Sequence, residues 1–216
     1  MDELLRLEAL TARAELQAGA LRGTALLERL LAVPPRERDA WTDQLLGLEE
    51  APPDVADLPR GAVPYLPCGV EEILTLVREL PLRPKDTLID LGSGLGKVAI
   101  LAHLLAGARA HGVELQAPLV RAARERCAAL GLGSDAVSFI HANAVEAELA
   151  GSIFFLYAPF NGELLTAVLG RLQEIALRRA IAVCAVGLEL RGVAWLRPRP
   201  TSHVSLTLYD SCSPSA

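Results

Sequence analysis

The run Asp90-Leu91-Gly92-Ser93-Gly94-Leu95-Gly96 places one acid and three glycines where they can bind a small molecule. A short apolar stretch that favours a strand precedes the run, and a helical stretch beginning at Lys97 follows it. In an open α/β sheet, ligands bind beyond the carboxyl ends of the strands. Glycine permits a tight turn there and lets the backbone approach a ligand closely. The run therefore predicts a ligand-binding loop between a strand and a helix.

The spacing of the glycines and the position of the acid distinguish two kinds of cofactor. A dinucleotide-binding loop has the pattern G-x-G-x-x-G, whereas the glycines here follow G-x-G-x-G. A carboxylate in the loop would repel a pyrophosphate, but it suits a cofactor that carries an ammonium and a sulfonium group. We therefore predict S-adenosylmethionine as the cofactor, and a purely structural turn is the alternative. The predicted contacts in the loop are Asp90, Gly92, Ser93, Gly94 and Gly96.

Two polar residues follow the next two predicted strands. A carboxylate at Glu114 can accept hydrogen bonds from ribose hydroxyls, and a solvated acid is the alternative. The side-chain carbonyl of Asn143 can accept a hydrogen bond from the adenine amino group, and a turn asparagine is the alternative. With their neighbours Leu115 and Ala144, these residues complete the predicted nucleoside contacts.

The order of the predicted elements indicates the fold class. Apolar strands alternate with helices from residue 87 to residue 186, which predicts a parallel sheet with helices on both faces. Two further strands are predicted at 193–197 and 204–209, separated by Pro198 and Pro200, as an antiparallel hairpin at the sheet edge. The predicted fold is α/β, with a doubly wound, mostly parallel sheet of seven strands.

The first 50 residues favour helices. Leu4, Leu7, Leu10 and Ala14 recur at three- and four-residue spacing, which is typical of a helix with one apolar face. We predict an N-terminal helical cap and linker over residues 1–60. This segment can be a packed cap, a lid that selects the substrate or a contact with a second copy of the chain.

The run Asp90–Gly96, Glu114 and Asn143 resemble the motifs of class I S-adenosylmethionine-dependent methyltransferases. The resemblance covers residues 61–216, which we predict to be the methyltransferase domain. It implies a Rossmann-like fold and in-line attack of a nucleophile on the cofactor methyl group, with positioning and desolvation as the main sources of rate.

Two further segments, Val63–Pro67 and Phe155–Phe160, are similar to small seven-strand protein-lysine methyltransferases related to the non-SET histone-lysine enzymes. Those enzymes commonly have an acid where Leu95 stands here and an aspartate where Asn143 stands. The resemblance implies a protein amine, above all lysine, as the methyl acceptor. The alternatives are a small-molecule N- or O-methyltransferase and a cofactor-binding module without activity.

The resemblance also implies roles for three aromatic residues. Tyr157 and Phe160 stand at the position of the superfamily's amine-methylating Asn/Asp-Pro-Pro-Tyr/Phe motif, with Tyr157 in place of the amide or carboxylate. The Tyr157 hydroxyl would orient the nucleophile and Phe160 would face the substrate, where aromatic rings favour cations. Tyr65 would cover the cofactor. Rings that only line the sheet rim are the alternative.

Composition limits the partners. The net charge of −5 argues against a large nucleic-acid-binding surface, and the four cysteines and four histidines have no metal-ligand spacing. No stretch is long and apolar enough for a membrane span. The acidic start lacks a signal-peptide pattern, which predicts a cytoplasmic location. Nearly all cations are arginines, with Lys85 and Lys97 as the two lysines.

Overall fold

Five parallel strands form the centre of a single sheet in the computed structural model, which describes residues 1–212. The strands are β1 (Thr87–Leu91), β2 (Arg109–Glu114), β3 (Val137–His141), β4 (Ile153–Tyr157), β5 (Ala182–Val186), β6 (Leu196–Pro200) and β7 (Leu206–Ser211). Their order is β3-β2-β1-β4-β5-β7-β6, and the pairs β5–β7 and β7–β6 are antiparallel. The predicted mostly parallel sheet with a C-terminal hairpin is confirmed. Strand order reverses between β1 and β4, where such sheets bind ligands.

Seven helices surround the sheet in the described part of the chain. They are α1 (Glu3–Gln17), α2 (Gly23–Ala32), α3 (Arg38–Leu46), α4 (Val70–Glu79), α5 (Lys97–Ala106), α6 (Ala117–Ala129) and α7 (Gly162–Ala176). The central strand β1 is buried along its whole length, and its side chains alternate between two apolar clusters, one on each face of the sheet. Burial on both faces explains why the central strands are nearly continuous apolar runs.

The N-terminal helices belong to the same core as the sheet. Leu26 and Leu30 of α2 and Trp41 and Leu45 of α3 are fully buried in the cluster that also contains α5. The N-terminal segment is therefore packed against the helix that follows the glycine loop. The predicted boundary at residue 60 stays a prediction, and residues 213–216 of the second predicted domain lie outside the described residues.

The apolar face predicted for α1 is wrong in part. Leu4, Leu7 and Leu10 are 76%, 53% and 39% exposed. A second stripe at helical spacing packs inward instead, and it consists of Ala9, Ala12 and Leu16. The small alanines allow α1 to approach α3 closely, whereas the leucines form an exposed row. Three- and four-residue spacing fits both stripes and cannot choose between them.

The C-terminal hairpin forms as predicted, but its first strand is displaced along the chain. Pro198 and Pro200 lie within β6 rather than between the two strands. Because β6 pairs with β7 alone, it is an edge strand, where proline can sit with its missing N–H turned away from the ladder. No helix among residues 1–212 is long and apolar enough to cross a membrane.

Candidate functional site

The glycine loop leaves the carboxyl end of β1 in a conformation that only glycine adopts readily. Gly92, Gly94 and Gly96 have φ angles of 79°, 53° and 83°, in the left-handed region. The Gly92 N–H donates to the Val113 carbonyl at 2.8 Å, and the Gly94 N–H donates to Oε2 of Glu114 at 2.9 Å. The loop is therefore tied to the end of β2.

Neighbouring side chains approach two of these glycines closely. A Cβ on Gly92 would lie 2.4 Å from Cβ of Pro159, and one on Gly94 would lie 2.2 Å from Cε2 of Tyr65. The loop is therefore packed between Tyr65 on one side and Pro159 on the other. The third glycine, Gly96, packs on Phe139 instead.

Glu114 is buried and held by two backbone N–H groups. Its Oε2 accepts from Gly94 and its Oε1 accepts from Gln116 at 2.8 Å. Each carboxylate oxygen can accept more than one hydrogen bond. The group is thus fixed in position and keeps capacity for further donors, such as the ribose hydroxyls of the prediction.

Asp90 is buried without a partner for Oδ2 among the described residues, and the Oγ of Ser93 beside it is also unpartnered. Burial, and then the charge of Glu114, raises the pKa of Asp90 from its ordinary value of 3.8 to about 8. The carboxyl group is therefore mostly protonated at neutral pH when no cationic ligand is bound. A buried polar group left without a partner is unusual and favours a ligand site.

Two cavities lie at this edge of the sheet, with Tyr65 lining both. The larger has a volume of about 140 Å³, and the smaller one about 20 Å³. The larger brings together Glu114, Leu115, Asn143, Ala144, Tyr157 and Phe160, while the smaller brings together Asp90, Gly92, Ser93, Lys97 and Tyr157. Of the predicted site residues, only Gly94, covered by Tyr65, and Gly96 line neither of these two cavities.

Asn143 has a local hydrogen bond. Its Oδ1 accepts from the Val145 N–H at 3.0 Å, which is the geometry of a turn asparagine. Its side chain also lines the larger cavity. The contact with adenine stays a prediction, and the Val145 N–H competes for the oxygen that the prediction uses.

Tyr157 and Phe160 are brought to one cavity by an unusual turn at the end of β4. Ala158 between them has a φ of 41°, and it is the one non-glycine residue with positive φ in the described chain. Such backbone strain is concentrated at functional sites. Burial first, and then the nearby groups Cys68, Glu72 and Asp39, raise the pKa of Tyr157, so its hydroxyl stays protonated at neutral pH.

A segment of the proline-rich linker covers the site, and no pattern in its sequence indicates how it is held. Oδ1 of Asp54 accepts from Nε2 of Gln116 at 2.6 Å and from the Tyr65 N–H at 2.9 Å. The Val63 N–H donates to the Pro159 carbonyl at 3.1 Å. These contacts attach the segment to the ends of both β2 and β4 and keep Tyr65 over the glycine loop.

Lys97, the residue after the last glycine, is a site residue that the motifs do not predict. Its side chain is only 4% exposed, and Nζ lies 2.9 Å from Oδ1 of both Asp39 and Asp43 on α3. Oδ1 of Asp39 also accepts from the Val70 N–H at the start of α4. The scarcity of lysine in this arginine-rich chain was the available signal, because a lysine kept among arginines indicates a need for a compact ammonium group.

We expect Gly94→Ala to lower the free energy of unfolding by about 1–3 kcal/mol and to weaken cofactor binding, because a Cβ there has a positive φ and meets the Tyr65 ring. Urea denaturation and titration calorimetry measure the two effects. Gly170→Ala is the matched control, since Gly170 has open space around it and lies in a helix, where alanine is favoured. A Gly94→Ala protein as stable as the original, with intact binding, would contradict the expectation.

Comparison with known proteins gives one family and several relatives. A model of the family "Histone methylation protein DOT1" matches residues 68–155. A protein-L-isoaspartate O-methyltransferase of Methylorubrum extorquens is 34% identical over 137 residues, covering 59% of this chain and 54% of the relative. An ATP synthase lysine N-methyltransferase of Caenorhabditis elegans is 36% identical over 98 residues, covering 43% of this chain and 50% of the relative. The chain spans about half the length of these curated relatives.

The solved structures agree on the fold. The structure of an RNA methyltransferase from Salinibacter ruber, in complex with S-adenosyl-L-homocysteine, superimposes with a TM-score of 0.55 at 24% identity. The match covers 70% of this chain and 96% of that one. With this strand order, this glycine loop and these relatives, the chain belongs to the class I S-adenosylmethionine-dependent methyltransferases.

Proposed function

We propose that the chain binds S-adenosylmethionine at the carboxyl edge of the sheet and transfers its methyl group to an amine, with a protein lysine as the acceptor. The observation that carries the proposal is the placement of Asp90, Glu114 and Tyr157 at the ends of three adjacent strands, around two neighbouring cavities. One end of this arrangement suits a nucleoside, and the other suits a positively charged group.

The residues present fit the cofactor. Asp90 offers a buried, unpartnered carboxyl group for an ammonium, and Glu114 offers a fixed carboxylate for ribose hydroxyls. When bound, S-adenosylmethionine supplies an electrophilic methyl group on a sulfonium. The larger cavity of about 140 Å³ is smaller than the roughly 300–1,000 Å³ of ordinary ligand sites. Tyr65, which stands between the cavities, is therefore the side chain that has to move for a whole cofactor to fit.

The chain's own groups have simple roles in this proposal. The protonated Tyr157 hydroxyl keeps a lone pair that accepts a hydrogen bond from a neutral amine and so directs the amine's own lone pair. Phe160, 8% exposed, lines the same cavity and helps to exclude water from it. Catalysis then consists mainly of positioning and desolvation.

A protein amine is favoured over other acceptors by the relatives and by charge. One family match concerns histone methylation, and one relative is a lysine N-methyltransferase, whereas another is an O-methyltransferase. The net charge of −5 suits a basic target, and carboxylates at Asp39 and Glu72 act on Tyr157. A small-molecule N- or O-methyltransferase is the second candidate, because the acceptor side is a cavity rather than an open groove.

A binding module without activity is the third candidate, and Tyr157 in place of the usual amide or carboxylate is the feature that favours it. The cytoplasmic location and a contact between two copies through the N-terminal helices stay predictions. The exposed row of Leu4, Leu7 and Leu10 is the surface on α1 that bears on such a contact.

Labelled S-adenosylmethionine tests the proposal. The protein is incubated with methyl-labelled cofactor and a boiled cell lysate, and proteins are then separated from small molecules. We expect the label in protein lysines, a loss of label with Glu114→Ala because cofactor binding fails, and slower labelling with intact binding for Tyr157→Phe. Label confined to small molecules would favour the second candidate. Cofactor binding with no label in either fraction would favour the third.

A further inference from the structure

Lys97 brings a positive charge to the wall of the smaller cavity. It is the first residue of α5, directly after the glycine loop, and its side chain is almost fully buried. The cavity wall also contains Asp90 and Ser93, whose side-chain oxygens have no partner among the described residues. An ammonium and an unpartnered carboxyl group therefore line the same small space.

The ammonium of Lys97 is held in place but retains capacity. Nζ donates to Oδ1 of Asp39 and lies 2.9 Å from Oδ1 of Asp43. A lysine ammonium has three N–H donors, so two carboxylates leave one donor for a further acceptor. Both aspartates come from α3, and Asp39 also receives the Val70 N–H, so the lysine is fixed by two helices besides its own.

A cavity with one acid and one cation on its wall is complementary to the free end of an amino acid. An α-ammonium group pairs with a carboxylate, and an α-carboxylate pairs with an ammonium. Charge-assisted hydrogen bonds of this kind are about twice as strong as neutral ones. S-adenosylmethionine carries such an amino-acid end, and the adjoining larger cavity has the residues suited to its nucleoside end.

We propose that Lys97 binds the α-carboxylate of S-adenosylmethionine and that Asp39 and Asp43 are positioning residues that hold its ammonium at the cavity. The inference rests on the proposed function, since it assumes that the cofactor binds here. It makes the N-terminal helices part of cofactor recognition, because α3 supplies both carboxylates. It also gives the site a means to reject ligands that lack the carboxylate.

A pair of ligands tests this role by binding alone. Decarboxylated S-adenosylmethionine keeps the nucleoside, the sulfonium and the amine but lacks the α-carboxylate. We expect the original protein to bind S-adenosylmethionine about 10- to 100-fold more tightly than the decarboxylated form, the range for a hydrogen bond to a charged group. Lys97→Met should reduce this ratio to about 1, while Lys97→Arg, which keeps the charge, should retain most of it.

Stability is separated from recognition by a second variant. Lys97→Met leaves Asp39 and Asp43 without their cation, so the triple variant Lys97→Met/Asp39→Asn/Asp43→Asn removes these charges as well. We expect the same ratio of about 1 in the triple variant. An unchanged ratio in both Met variants, with both ligands weakened equally, would overturn the proposal and leave a purely structural ion pair. An original protein that binds neither ligand would instead refute the proposed function itself.

Discussion

Asp90→Asn is expected to stabilise the ligand-free protein and to remove most of its affinity for S-adenosylmethionine. The pKa of Asp90 is about 8 in the folded protein and 3.8 ordinarily, chiefly because the side chain is buried. The folded state therefore holds a proton that the unfolded chain has lost, and this lowers stability increasingly as the pH rises from about 4 to about 8. At pH 7 we expect asparagine to gain about 2–4 kcal/mol, since each pKa unit corresponds to about 1.4 kcal/mol.

The loss of binding has a different cause. Asparagine cannot become an anion, so the cofactor's ammonium would face a neutral group in a buried site. Urea denaturation at pH 4 and pH 7.5 measures the stability difference, which should appear mainly at the higher pH. Asp135→Asn is the control, because it removes one negative charge from an exposed position. A destabilised Asp90→Asn protein at pH 7.5, or one that still binds the cofactor tightly, would contradict the role given to Asp90.

The parts of this molecule that sequence can predict are those set by local rules. The glycine loop is such a case, because the strand, the turn and the helix lie within a few residues of one another, and three positive φ angles require glycine. Glu114 is another case, since the end of β2 necessarily lies beside the end of β1 in a parallel sheet. The continuous apolar runs of β1 and β4 identify them as central strands for the same reason.

The features that escaped prediction depend on contacts between distant segments. The ion pairs of Lys97 join it to two aspartates more than fifty positions earlier in the chain, and nothing in either segment alone indicates the other. The hydrogen bonds of Asp54 with Gln116 likewise bring the linker to β2. On α1, two apolar stripes satisfy the same spacing, and only packing against α3 decides that the alanines face inward.

The binding of S-adenosylmethionine is expected to release close to one proton at pH 7. Asp90 is mostly protonated in the ligand-free protein because its pKa is about 8. A cationic ammonium beside it favours the ionised carboxylate and lowers that pKa in the complex. The association constant should therefore rise about tenfold per pH unit between pH 6 and pH 7.5, a range in which the ligand's own ammonium stays largely protonated.

Titration calorimetry in buffers of different ionisation enthalpy counts the protons directly, because the observed heat then varies with the buffer in proportion to the number released. Methylthioadenosine is the matched ligand, since it keeps the nucleoside but lacks the ammonium, so its binding should release almost no proton and vary little with pH. In Asp90→Asn the proton release should disappear for S-adenosylmethionine as well. If the original protein binds S-adenosylmethionine with no proton release at pH 7, the ammonium does not meet Asp90. The cation would then have to be held elsewhere, since a carboxyl group that stays neutral in the complex cannot supply the charge on which this end of the site depends.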